Sequence, residues 1–110
     1  MGKEKAEVLQ GTLDLLILRT VQLEPLHGYG IAQRLEQITR GTFRVNGGSL
    51  FPALYQLEKE GYLRAEWRPT ENNRRAKYYA LTAAGRRKLG EEKRHWARVA
   101  QAIERVLGDA

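Results

Sequence analysis

Two groups of side chains in this chain have the types and spacing to read and hold a polyanion. Ser49, Tyr55, Gln56 and Lys59 recur through one short segment and end in a hydroxyl, a phenol, an amide and an ammonium group. A glutamine can pair with an adenine edge, serine is permissive, and lysine suits guanine or a phosphate. Downstream, Arg74, Arg75 and Lys77 cluster beside Asn72 and Asn73, a cationic group at a turn suited to phosphates or a minor groove. Asn46 precedes the first group, where it can cap a helix or contact phosphate. Asn73 tolerates the left-handed conformation a turn needs. Tyr29, further upstream, can donate to a phosphate or bury its ring.

Catalysis and metal binding have no such constellation. The chain has no cysteine, so disulfides, thiolate metal sites and a thiol nucleophile are excluded. His27 and His95 are isolated from other ligand types at metal spacing. Gly28-Tyr29-Gly30 is too little for a phosphate-binding loop, and Glu58, Glu60, Glu91 and Glu92 read as solvated helix positions. Neither an enzyme nor a cofactor is expected.

The elements that would position the reading groups follow from periodicity. Leu13, Leu16, Ile17, Thr20 and Val21 repeat at helical spacing between Leu9 and Leu23, and Leu15 and Leu18 make that helix apolar nearly all round. Residues 1–8 read as a mobile tail. Pro25 and Gly28 break the chain before a second helix, from about Tyr29 to Ile38, with Ile31, Leu35 and Ile38 in a stripe. Phe43 and Val45 flank Arg44 in a piece that could supply a third strand. A third helix, roughly Ser49 to Glu60, points Leu50, Leu54 and Leu57 inward, holds Pro52 in its first turn and ends at Gly61. This arrangement leaves Ser49 and Tyr55 two readings each, as base contacts, or as a cap and a ring packed beneath the next element. Tyr62 to Arg68 alternates Leu63, Ala65 and Trp67 with charged residues, and a turn leads to a second strand, Arg74 to Leu81.

Helix then cationic hairpin is the layout of a winged helix-turn-helix. The predicted fold is mainly α with a small β-hairpin wing, residues 1–81 forming the DNA-binding domain. Thr82 can cap a last helix to about Leu107, so residues 82–110 form a C-terminal dimerisation helix. Leu89, Trp96, Val99, Ile103 and Val106 follow an a/d seam with Glu92 as its polar member. A helix of that length outruns the rest of so small a domain, and a second copy is the simplest cover for its stripe.

The balance of 19 Lys and Arg against 13 Asp and Glu, net +6 over 110 residues, suits a polyanionic partner. The excess is uneven. Glu58 and Glu60 outweigh Lys59 in the third helix, whereas Arg64, Arg68, Arg74, Arg75 and Lys77 outweigh Glu66 and Glu71 in the hairpin. That division fits base readout by neutral groups and phosphate clamping by neighbours. No apolar run approaches the ~20 residues a membrane span needs, and the start lacks a signal-peptide core, so a cytoplasmic protein without membrane contact is expected.

Four segments, Leu9-Gln10-Gly11-Thr12-Leu13-Asp14-Leu15-Leu16-Ile17-Leu18, His27-Gly28-Tyr29-Gly30-Ile31, Gly48-Ser49-Leu50-Phe51-Pro52-Ala53-Leu54 and Tyr78-Tyr79-Ala80-Leu81-Thr82-Ala83-Ala84-Gly85, resemble the PadR family of bacterial transcriptional regulators over about residues 9 to 107. The resemblance implies a dimeric winged-helix repressor on a palindromic operator, released in many members by a small ligand. It implies the short form, with a single C-terminal helix. Phe51 stands where the family usually has tyrosine, and is either a core residue or a thymine-methyl contact. Because relatives sense aromatic compounds, Trp96 and its symmetry mate are a candidate site for a small aromatic effector, against the simpler role of seam packing. Two rival functions remain: a winged-helix protein–protein module that reads no bases, and a non-specific nucleic-acid binder using charge alone.

Overall fold

The computed structural model describes residues 10–108, and the expected tail at residues 1–8 lies outside them. Helix α1 (Gln10–Leu23) is the hub, in contact with each of the other three helices and with the sheet. Leu13, Ile17, Leu18 and Val21 are buried, as is Thr20, whose hydroxyl donates to the Leu16 carbonyl at 2.7 Å. A helix covered on several sides must be apolar around most of its circumference, and this one is.

The chain then forms strand β1 (Leu26–His27) and helix α2 (Gly28–Ile38). β1 corrects the expectation of a third strand at Phe43–Val45. Leu26 pairs with Tyr79 and His27 with Tyr78, so the sheet gains its third strand before α2 rather than after it. The His27 ring caps α2, its Nδ1 accepting from the Gly30 N–H at 2.9 Å. Ile31 and Leu35 of α2 reach the core, but Ile38 is exposed, because the chain turns away one residue later. There Gly41 donates to the Glu36 carbonyl and Arg40 to that of Gln37, a Schellman closure that holds Arg40 at φ 53°.

Helix α3 (Gly47–Lys59) starts two residues before the expected boundary, capped by Asn46, whose Oδ1 accepts from the Ser49 N–H at 2.9 Å. Pro52 therefore lies in the second turn rather than the first. Leu50, Leu54 and Leu57 pack inward as predicted, joined by Ala53. At the other end Tyr62 donates to the Leu57 carbonyl and Gly61, at φ 84°, to that of Glu58. A side chain would be strained at that φ.

Strands β2 (Leu63–Pro69) and β3 (Arg75–Leu81) form the wing, with Leu63 opposite Leu81 and Pro69 opposite Arg75; the sheet order is β1-β3-β2. Asn73, at φ 64°, sets the turn, with its N–H on the Thr70 carbonyl. Thr82 then caps α4 (Ala83–Leu107), its hydroxyl accepting from the Gly85 N–H and donating to the Gly61 carbonyl. Leu89 is 2 % exposed and belongs to the domain's own core, which removes it from the expected seam between copies. Beyond it α4 contributes no buried residue.

Candidate nucleic-acid interface

The outward face of α3 is built from the residues that its core positions leave over. With about 3.6 residues per turn, Tyr55, Lys59, Pro52 and Gly48 form the middle of the exposed arc. Ser49 and Gln56 form the flank near the start of α1, and Phe51 and Glu58 the flank near α2 and the wing. Ser49, Tyr55, Gln56 and Lys59 are all exposed. Asn46 provides the cap, so Ser49 does not, and Tyr55, 64 % exposed, does not pack beneath the wing. The Gln56 amide rests on the Glu60 carboxylate at 2.9 Å, an exposed contact that a base edge can replace.

Phe51 is 52 % exposed, which rules out the core role. Its ring lies against Gly28, where an added Cβ would come 2.6 Å from Cε1. A cleft of about 830 Å³ opens between α2 and α3, with Tyr29 and Phe51 among its walls. Tyr29 is 70 % exposed, not buried, so its phenol is available on the same side as the α3 N-terminus.

The wing divides its cations into two kinds. Arg74 and Arg75 are exposed at the tip. Lys77 is not a free tip cation: its ammonium sits 3.0 Å from Glu58 of α3, and that hydrogen bond holds it above the ordinary lysine value despite a smaller opposing cost of desolvation. Glu58 is correspondingly a tether between helix and wing rather than a solvated position. Asn73 is exposed at the turn, while Asn46 spends its oxygen on the cap and keeps its amide hydrogens for a partner.

Trp67 is the residue that the sequence placed on the packed face and the structure exposes. It pairs with Lys77 across the sheet, on the side that faces α3, and is 57 % exposed with the Arg75 guanidinium 5.9 Å above its ring. Tyr55 and Trp67 thus flank the Lys77–Glu58 bridge at the junction of α3 and the wing. Alternation tells which side of a hairpin a side chain takes, but the wing continues beyond the end of α3, and nothing covers Trp67 there. The signal available in sequence was that mismatch in length. His27 as a helix cap was missed as well, since it depends on one ring nitrogen facing the helix.

An exposed helix face of neutral hydrogen-bonding groups beside a cationic hairpin is what base reading and phosphate holding require. Comparison with protein families matches residues 17–91 to the Transcriptional regulator PadR-like family. The chain belongs to that family. It is 33 % identical over 97 residues to a transcriptional regulator of Mycobacterium tuberculosis, covering 88 % of this chain and 87 % of that one. Among solved structures, a protein from Streptococcus mutans superposes with a TM-score of 0.81 at 31 % identity, covering 94 % and 93 % of the two chains. A PadR-like transcriptional regulator from Bacillus cereus gives 0.76 at 29 % identity, over 90 % and 94 %. The winged-helix fold and a DNA-binding transcriptional regulator follow from the family. Among the described residues no helix is long and apolar enough to cross a membrane, and no group of metal-ligating side chains is present.

Proposed function

We propose that this regulator is a homodimeric repressor that reads a palindromic operator with α3, clamps its phosphates with the wing, and is released by a small aromatic ligand. The observation that carries the reading is the exposed α3 face of Ser49, Tyr55, Gln56 and Lys59, whose charge is nearly neutral, set against exposed Arg74 and Arg75. A neutral polar helix is a poor phosphate clamp and a good base reader. Tyr29, Asn46 and Asn73 complete the proposed phosphate contacts, Lys77 instead holding the wing to Glu58 of α3, and Phe51 offers an apolar edge to a thymine methyl.

The dimer rests on the outer half of α4, where Trp96, Ile103 and Val106 are exposed at seam spacing and Val99 is half-buried. Apolar groups so placed on one stripe are more stable against a partner than in water. Paired Trp96 rings would offer a flat apolar wall to a planar ligand.

Two experiments separate reading from clamping. Gln56→Ala should cost about 1–3 kcal/mol on the preferred duplex and almost nothing on random DNA, because only the former offers a matching base edge. Equal loss on both duplexes means that Gln56 touches backbone. No loss on either means that Tyr55 and Lys59, at the middle of the face, carry the readout without it.

Arg74→Ala with Arg75→Ala should instead weaken binding to all duplexes alike. The log–log salt slope should flatten by about one unit per lost phosphate contact, and twice that if both subunits lose it. Unchanged affinity and slope would remove the wing from the interface.

A further inference from the structure

The face of α4 opposite the seam carries Arg87, Arg94, Arg98 and Arg105, separated by seven, four and seven residues. At about 100° per residue these four fall within about 40° of one another, in a straight row some 27 Å long, diametrically across the helix from Trp96 and Ile103. All four are exposed. Among the described residues none of them reaches a carboxylate, whereas Lys88 on the same helix is paired with Glu92 at 3.2 Å.

The row works against the helix that bears it. Arg94 and Arg98 are like charges at i,i+4, a spacing that weakens a helix. The first turn of α4 holds no acidic residue, and Arg86, Arg87 and Lys88 crowd toward an N-terminus whose dipole favours anions. A face kept only for solubility mixes the two signs along such a row. Here Glu91 is the single acidic residue on the face, outnumbered by four arginines, the planar cation that grips phosphate with paired N–H groups.

We propose that this outer face of α4 is a second phosphate-binding surface that takes a second DNA duplex, so that a dimer seated on one duplex holds another. A row of ~27 Å spans about eight base pairs at 3.4 Å per step. The helix packs against α1 and β3, and its arginine face takes no part in the junction of α3 and the wing. The inference rests on the dimeric DNA-binding reading above: in that dimer the seams face each other and the two arginine rows face outward.

The test uses two mixed-sequence duplexes of about 30 base pairs, one carrying a donor dye and the other an acceptor, with the full chain at low salt. Energy transfer between the duplexes should appear on adding protein. Arg94→Glu with Arg98→Glu should abolish it while anisotropy shows binding to a single duplex within about twofold of the parent, one duplex still being held by α3 and the wing. Arg94→Gln with Arg98→Gln, which keeps helix formers at both positions, should reduce transfer in the same direction and guards against a folding defect. The Arg74→Ala, Arg75→Ala protein should instead weaken single-duplex binding and flatten its salt slope, so failure of the general reading and failure of this one look different. Transfer unaffected by the charge reversal overturns the proposal, as does a parent protein that binds one duplex and never joins two. A parent that joins no duplexes but binds polyglutamate through the same arginines assigns the row to an acidic protein and overturns it equally.

Discussion

Gly85→Ala is expected to destabilise the fold by about 3 kcal/mol, although alanine is the better helix former. Gly85 is the third residue of α4, and its N–H is held by the Thr82 hydroxyl at 2.9 Å. Thr82 is itself fixed to the end of α3, its N–H on the Tyr62 carbonyl at 3.2 Å and its hydroxyl on that of Gly61 at 2.7 Å. These bonds draw the start of α4 so close to the Tyr62 carbonyl that an added Cβ would overlap its oxygen, and Leu81 Cδ1 would lie 2.7 Å away. The obstruction is backbone, which cannot rotate aside. In a domain of this size the loss corresponds to a fall of more than about 10 °C in melting temperature. Gly90→Ala provides the matched comparison on the same helix, because a Cβ there meets only the Arg94 guanidinium at 3.5 Å. It should be neutral or stabilising by up to about 1 kcal/mol. If the two variants melt together, the contact between α4 and the α3–β2 turn is not what fixes the long helix.

The second large effect is on assembly. Val99→Asp with Ile103→Asp should leave a folded monomer, with self-association weakened at least about a thousandfold, since each chain would carry two unpaired charges into an apolar seam. Folding should survive because the core cluster ends, along α4, at Leu89. Circular dichroism should therefore keep its helical signal while sedimentation shows half the mass. A double variant that still sediments as a folded dimer places the interface elsewhere.

Much of this architecture is legible in the residues. The apolar girdle of α1, the inward stripe of Leu50, Leu54 and Leu57, the Gly61 closure and the Thr82 cap each follow from spacing or from one residue's conformational preference. What escapes is set by neighbours distant in sequence. A two-residue strand such as Leu26–His27 has no periodicity to detect and exists only because β3 offers it an edge. Leu89 fits a seam repeat and a core equally well, and the close approach of α4 to α1 decides for the core. Lys77 looks like Arg74 and Arg75 in sequence, and it shares a face of β3 with Arg75, yet it lies two residues nearer the core and meets Glu58 on α3 while Arg75 remains exposed at the tip. The candidate reading residues are legible as exposed polar positions, but which neighbours each flank of α3 faces, Ser49 and Gln56 beside the start of α1 and Glu58 beside the wing, depends on how the helix packs.

In the proposed dimer, two copies of α3 read two inverted half-sites. Selection of DNA by the purified protein from a random pool, followed by sequencing, tests it most directly. The enriched pool should carry an inverted repeat whose half-sites lie about one helical turn, ~34 Å, apart from centre to centre. A pool that binds tightly yet enriches no sequence, or enriches a single unrepeated site, contradicts it.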